Sequence, residues 1–170
     1  MRKSAANPVW VDRSILVGAG LFIFALAFSA IFDPKIRVLH TFQALLYIAV
    51  IVLTRRGSAW GFGAGCIIAA FWNYINLFIT NFIRAGLREL SSLFQTGQLH
   101  RPDLLIAVIA AGGHFLLMIA CLGGFLRTQP GVRRWSEFIG GGVVAVAYLV
   151  VIIVTTGPQY INLLKRVFRL

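Results

Sequence analysis

Asn73, Asn76 and Asn81 lie in the second half of CIIAAFWNYINLFITNFIR, the segment from Cys66 to Arg84, which is long and apolar enough to cross a bilayer. His40, Gln43 and Tyr47 recur at i, i+3 and i+7 in a second apolar stretch, and His114 stands in a third. In a low-dielectric setting such groups do three kinds of chemistry. Amides and hydroxyls hydrogen-bond a solute or an ion, an imidazole holds or passes a proton, and imidazole with thioether and thiol binds a soft metal. An unpartnered polar group in lipid costs several kcal/mol, so each of these side chains needs a partner, either another helix or a ligand.

Each chemical reading competes with a structural one. Amides between membrane helices commonly act as links worth about 0.6–2 kcal/mol each, and that reading comes first for the asparagines, with a ligand or ion path second. For His114 a packing role precedes proton or ligand handling. His40, close to a span end, is expected to be solvated or lipid-facing. His114, Met118 and Cys121 share a face, but a stripe of such residues is usually core, so no metal site is expected. His40 and His114 fall at different depths, which argues against a haem between them. Cys66 and Cys121 both fall in apolar runs and are expected as free thiols. No cofactor is expected.

Catalysis finds little support. No carboxylate lies inside an apolar run, so no acid–base pair can be placed there. Asp33 and Asp103 stand at span ends, where they punctuate helices, although both could face the mouth of a polar chamber. No phosphate loop, zinc-helix motif or nucleophile elbow is present in the sequence. No catalytic residue is assigned, and the protein is expected to be non-enzymatic.

The elements that carry these residues follow from where charge is missing. Of 170 residues, 59% are apolar and 12% charged, too few for the surface of a soluble domain. All 21 charged residues avoid five runs: Ser14–Phe32, Val38–Thr54, Gly57–Ile83, Leu104–Leu126 and Phe138–Leu164. Their lengths of 19, 17, 27, 23 and 27 residues suit a bilayer core that needs about 20. The fold class expected is all-α: one integral membrane domain over residues 1–170, with five spans at about 14–32, 38–54, 60–82, 104–126 and 138–158. The net charge of +11 is read as Lys and Arg anchoring span ends against lipid headgroups, not as a nucleic-acid surface. Met1-Arg2-Lys3 is read as the lead of a retained first helix rather than a signal peptide.

Small residues mark the packing faces. Gly18, Ala25 and Ser29 lie along one side of the first span. Gly61, Gly65, Ala69, Asn73, Asn76 and Thr80 form one stripe of the third, which is expected at the centre of the bundle. Asp33-Pro34 ends the first span. Arg55-Arg56-Gly57-Ser58 is a turn tight enough to make the second and third spans antiparallel neighbours. Arg127 to Glu137, with Pro130-Gly131, is a second basic turn. Between spans three and four, Ile83, Leu87, Leu90 and Phe94 oppose Arg84, Arg88, Ser91 and Gln95, an amphipathic surface helix closed by Gly97. Arg84 and Arg88 are candidates for lipid headgroups or an anion. A shorter amphipathic tail sets Ile161, Leu164 and Phe168 against Asn162, Lys165, Arg166 and Arg169.

Alternating direction puts His40, Gln43, Tyr47, Asn76, Thr80 and Asn81, with Thr155 and Thr156, in one half of the membrane, and Asn73 and His114 near its middle. The sequence therefore predicts a polar chamber opening at the end that carries Asp33 and Asp103. Lys and Arg number eight at each end, so charge does not set orientation, and the short segments around Arg55 and Arg127 give only a weak lean to that end being cytoplasmic. Asp33, Lys35, His40 and Tyr47 loosely resemble the opening motif of VanZ-like membrane proteins over about fifteen residues. That family's later acidic motif is not found, and no membership is drawn from the likeness.

Two functions are carried forward. The first is a non-enzymatic subunit of a larger complex, in a prokaryotic inner or plasma membrane, with lipids, other membrane subunits or further copies of itself as partners. The second is a small-solute or ion transporter or binding protein whose chamber is lined by Asn73, Asn76 and His114.

Overall fold

The computed structural model describes residues 7–128, 132–157 and 160–168, with the side chains of all but 128, 132 and 133. The N-terminal lead Met1-Arg2-Lys3, Pro130-Gly131, Pro158 and Arg169 lie outside the described residues.

The chain is an all-α multi-pass bundle. Among the described residues five helical segments are long and apolar enough to cross a membrane: Val9–Phe32, Pro34–Arg55, Ala59–Ile79, Pro102–Arg127 and Arg134–Thr156. The helices are α1 (Val9–Phe32), α2 (Arg37–Arg55), α3 (Ala59–Tyr74), α4 (Phe82–Thr96), α5 (Pro102–Thr128), α6 (Val132–Thr156) and α7 (Ile161–Phe168). Asp33 breaks α1 in an extended conformation and accepts the Lys35 N–H, starting a short 3-10 turn that feeds α2. Gly57, at φ 66°, turns the chain between α2 and α3.

Two crossings without intervening side chains hold the bundle. Where α1 meets α5, a Cβ on Gly18 would lie 2.7 Å from the Gly113 carbonyl oxygen, and one on Gly113 would lie 2.8 Å from that of Gly18. Where α3 meets α6, a Cβ on Gly63 would lie 1.7 Å from the Phe138 carbonyl oxygen. Lipid is as apolar as leucine, so close backbone approach and the dispersion it permits replace the hydrophobic effect as the packing force. Helices α3 and α5 also pack on each other, and α2 fills the side between α1, α3 and α6. The centre expected at the third span is thus shared: half of the α5 span is buried against 44% for the third.

The third span ends earlier than 60–82. Beyond Tyr74 the helix widens into a π-turn, Ile75–Ile79, and Asn81 takes a left-handed conformation at φ 59° that starts α4. Asparagine tolerates that region better than other non-glycine residues. Helix α4 lies against α5 through Ile83 and Gly86, whose Cβ would meet the Leu104 carbonyl oxygen at 2.4 Å. The absence of a side chain at Gly86, in mid-helix, is what makes it the contact point. Of the apolar stripe, Leu87 and Phe94 turn away from the bundle at 50% and 82% exposure, where an interfacial helix meets acyl chains. Arg84 and Arg88 are exposed beside them.

After Gly97 the loop returns onto α4 through Glu89, whose Oε1 accepts the backbone N–H groups of His100 at 2.5 Å and Arg101 at 2.9 Å. Those two donors, Arg101 first, hold the Glu89 carboxyl below its usual range. A carboxyl depressed in the folded state stabilises above its unfolded pKa and loses that contribution as pH falls through its folded value. Protection of the His100 and Arg101 amides from hydrogen exchange, measured against their intrinsic rates at each pH, should therefore fall on acidification below about pH 4, the ordinary glutamate range. Glu89→Gln should give fast exchange at neutral pH already. Equal protection in both proteins at pH 7 would remove the anchor from the account.

Candidate functional site

A cavity of about 460 Å³ occupies the Asp33–Asp103 end of the bundle. Every spanning helix contributes to it. Helix α1 supplies Phe22, Ala25, Leu26 and Ser29; α2 supplies Leu39, His40 and Gln43; α3 and its π-turn supply Trp72, Ile75 and Asn76. Ile106, Ala107 and Ala110 of α5, with Leu149 and Ile153 of α6, complete the wall, and Tyr160 and Leu163 of the tail approach the mouth. Most of the lining is apolar. Asp33 and Asp103 both reach the opening, and Asp103 is held there by a two-pronged contact with Arg101, at 2.8 and 2.6 Å.

The polar groups within divide into satisfied and open ones. Asn76 Nδ2 donates to the Trp72 carbonyl at 3.0 Å, and Thr80 Oγ1 donates to Asn76 Oδ1 at 3.1 Å, so these two close on each other along the π-turn. π-turns recur at functional sites because they re-aim side chains by one register. His40, expected to face solvent or lipid, turns inward instead: its Nδ1 lies 2.9 Å from the Leu26 carbonyl oxygen of α1. A carbonyl only accepts, so Nδ1 carries the proton and Nε2 is left as the ring's open edge. Neither the Gln43 amide nor the Ser29 hydroxyl has a hydrogen-bond partner among the described residues, and Gln43 Oε1 is buried.

Phe22 and Trp72 form the floor. Beneath them His114 is wholly buried, with its ring centroid 4.0 Å from that of Phe22 and 4.7 Å from that of Trp72. Tyr47 Oη lies 2.7 Å from His114 Nε2, which ties α2 to α5, while Nδ1 has no partner among the described residues. Asn73, 4% exposed, reaches Met118 Sδ at 4.0 Å through Nδ2, and its Oδ1 is unpartnered. Desolvation confines such polar side chains to a dry layer where each unmade hydrogen bond is costly.

A cavity is present at the expected end, but it is lined mostly by apolar side chains rather than being a polar chamber, and its membership differs. His40, Gln43, Asn76 and Thr80 line it. Asn73, Tyr47 and His114 do not: they lie outside the lining residues, with the Phe22 and Trp72 rings packed on the imidazole, because bulky aromatics close the middle of the bundle. Asn81 is exposed in the break before α4, since the third span stops at Ile79. Thr155 and Thr156 satisfy their hydroxyls on the carbonyls of Val151 and Ile152, within their own helix. Arg84 and Arg88 stand on the surface, Arg84 with its guanidinium 5.9 Å from the Phe78 ring centroid. Sequence reasoning missed the α6 wall, Leu149 and Ile153, and the floor pair. From the sequence Ser29 reads only as a packing residue, although its place on the same helical face as Ala25 and Phe22 carries the signal. Among the described residues no group of three or more His, Cys, Asp or Glu side chains is placed to hold a metal ion.

Comparison of the chain with protein-family models, with curated proteins and with solved structures gives no match. What the cavity is for must be argued from its chemistry.

Proposed function

We propose that this integral membrane protein binds a small solute inside its bundle, within the bilayer, and admits it from the Asp33–Asp103 end. One observation carries the reading: a cavity of about 460 Å³ built by all five spans, open at one end, with hydrogen-bonding groups set into an apolar wall. Sites for small molecules have this size and this mixture of apolar lining and a few placed polar groups. The reading is of a binder, not an enzyme, because the polar groups facing the space are amide, hydroxyl and imidazole, and one of its two carboxylates is taken by Arg101. The membrane proposed for it is a prokaryotic inner or plasma membrane.

The subunit reading takes second place. Its support is an apolar groove on the outside of the bundle, where Gly142, Val146, Ala147 and Val150 of α6 lie beside Ile67 of α3. A partner helix or a lipid chain fits such a surface equally well, and co-purifying polypeptides would favour the former.

Filling the cavity tests the proposal. Ala107 is 5% exposed and lines the wall, so Ala107→Phe should occupy the space without touching the surface. Across a panel of solutes, those that raise the melting temperature of the wild type should leave the folded variant unmoved. Equal shifts in both proteins would place binding elsewhere.

A further inference from the structure

Resting on the binding role just proposed, we infer that the cavity takes a single-chain amphiphile whose head is a hydroxyl group. The argument begins with two neighbours on α2. His40 and Gln43 are three residues apart, so their side chains lie next to each other on one helical face, and both line the cavity. The bond to the Leu26 carbonyl fixes the imidazole and commits Nδ1 as donor. In the neutral ring Nε2 is then an acceptor, with no donor to it among the described residues. The Gln43 amide has a donating and an accepting edge, and neither has a partner among the described residues. Ser29 of α1 adds a hydroxyl with no partner to the same space.

An acceptor beside an amide calls for a ligand group that donates and accepts at one atom. A hydroxyl does so: its hydrogen goes to His40 Nε2, and its oxygen takes an N–H from Gln43. An ionised carboxylate has no hydrogen for the imidazole, and it would have to pass Asp33, which forms no ion pair among the described residues. An ammonium can donate to His40 Nε2 and to Gln43 Oε1 but leaves the Gln43 N–H without an acceptor. An ether or an alkane has nothing to donate. The remainder of the wall, with Phe22, Ala25, Leu39, Ala107, Leu149 and Ile153, is hydrocarbon. That surface matches an alkyl chain, and the bilayer around the protein is a reservoir for one. Asn76 and Thr80, already bonded to each other, need nothing from the ligand.

The test uses the full-length protein in phosphatidylcholine vesicles and a dodecanol derivative carrying a photoreactive diazirine in mid-chain. After irradiation and digestion, adducts should map to wall residues of α5 and α6, around Ala107, Leu149 and Ile153. Unlabelled dodecanol should suppress them about five-fold better than dodecyl methyl ether, dodecanoate or dodecylammonium, the equilibrium counterpart of one net hydrogen bond. Gln43→Met, which keeps the length of the side chain and loses the amide, should erase most of that advantage. Equal competition by dodecanol and its methyl ether, or by dodecanol and dodecylammonium, in the wild type overturns the hydroxyl inference and leaves cavity binding standing. This comparison needs no variant to fold. A Gln43→Met protein that keeps the full preference also overturns it. Adducts confined to the outer α3–α6 groove contradict both this inference and the binding role beneath it.

Discussion

Gly63→Leu should abolish recovery of a folded, monodisperse protein, while Gly112→Leu should leave the yield and melting temperature close to wild type. The two glycines sit in neighbouring membrane helices and differ only in what stands over them. A Cβ on Gly63 would come within 1.7 Å of the Phe138 carbonyl oxygen and 2.5 Å of its carbon, both backbone atoms. A side-chain tip can rotate away from such contact, but a helix backbone moves only as a body. Shifting α6 would separate Gly141 from Trp60 and Gly142 from Ile67, which pack along the same seam. Overpacking a core ordinarily costs about 1–3 kcal/mol through small rearrangements, and this site lacks any such rearrangement. Gly112 meets nothing within 4 Å and faces outward, so leucine there adds one more apolar side chain to the lipid-facing surface. Size-exclusion profiles and thermal unfolding in one detergent give the comparison. A well-folded Gly63→Leu protein would show that the α3–α6 seam does not hold the bundle.

The second large effect is expected at the floor of the cavity. Tyr47→Phe removes the hydroxyl that partners His114 Nε2 and leaves a wholly buried imidazole with no hydrogen bond at either nitrogen. An orphaned buried polar group costs about 1–3 kcal/mol. Interhelical hydrogen bonds in membranes average only about 0.6 kcal/mol, because the unfolded chain in lipid finds other partners. This pair should lie above that average, since Phe22 and Trp72 close over the ring and keep water from replacing the hydroxyl. His114→Leu should destabilise as well, and the double variant should cost less than the sum of the two, with coupling of roughly 0.5–3 kcal/mol. Additive effects would mean that the 2.7 Å contact contributes nothing to stability. Because the pair lies beneath the floor, Tyr47→Phe should leave solute binding in the folded fraction unchanged.

How much of this was legible in the sequence depends on the kind of signal. The five spans were, because charge is excluded from lipid and Asp33-Pro34, Arg55–Ser58 and Gly97 punctuate as their chemistry requires. The polar end of the bundle was too, since alternating helices put His40, Gln43 and Asn76 at one depth whatever their rotation. What depth does not give is which side chain faces which space. Asn73 and Asn76 lie on one stripe, yet Asn76 lines the cavity and Asn73 does not. The π-turn at Ile75 changes the helical register between them and their neighbours, and no residue type announces it. His114 and Tyr47 have the right depth for a ligand site and are shut out by Phe22 and Trp72, two aromatics whose sequence context is the same as that of lipid-facing rings. His40 was assigned outward because it lies near a span end. Its inward turn depends on a carbonyl of another helix, Leu26, which no local pattern can show. Gly86 is a poor helix former by propensity, yet it stands where α4 touches α5, a tertiary contact overriding a weak local preference.

Side-specific labelling of single cysteines tests the central claim most directly. In a protein with Cys66→Ala and Cys121→Ala, cysteine replaces Gln43 or Asn76 on the wall, or Leu45, which is 49% exposed on the outer face of α2. The three variants are sealed into vesicles and treated with a membrane-impermeant thiol reagent on each side in turn. The account predicts reaction at positions 43 and 76 from the Asp33–Asp103 side alone, and none at 45 from either side. Reaction at position 45 matching that at 43, or entry to 43 and 76 from the Arg55 side, would contradict a membrane-embedded cavity open at one end.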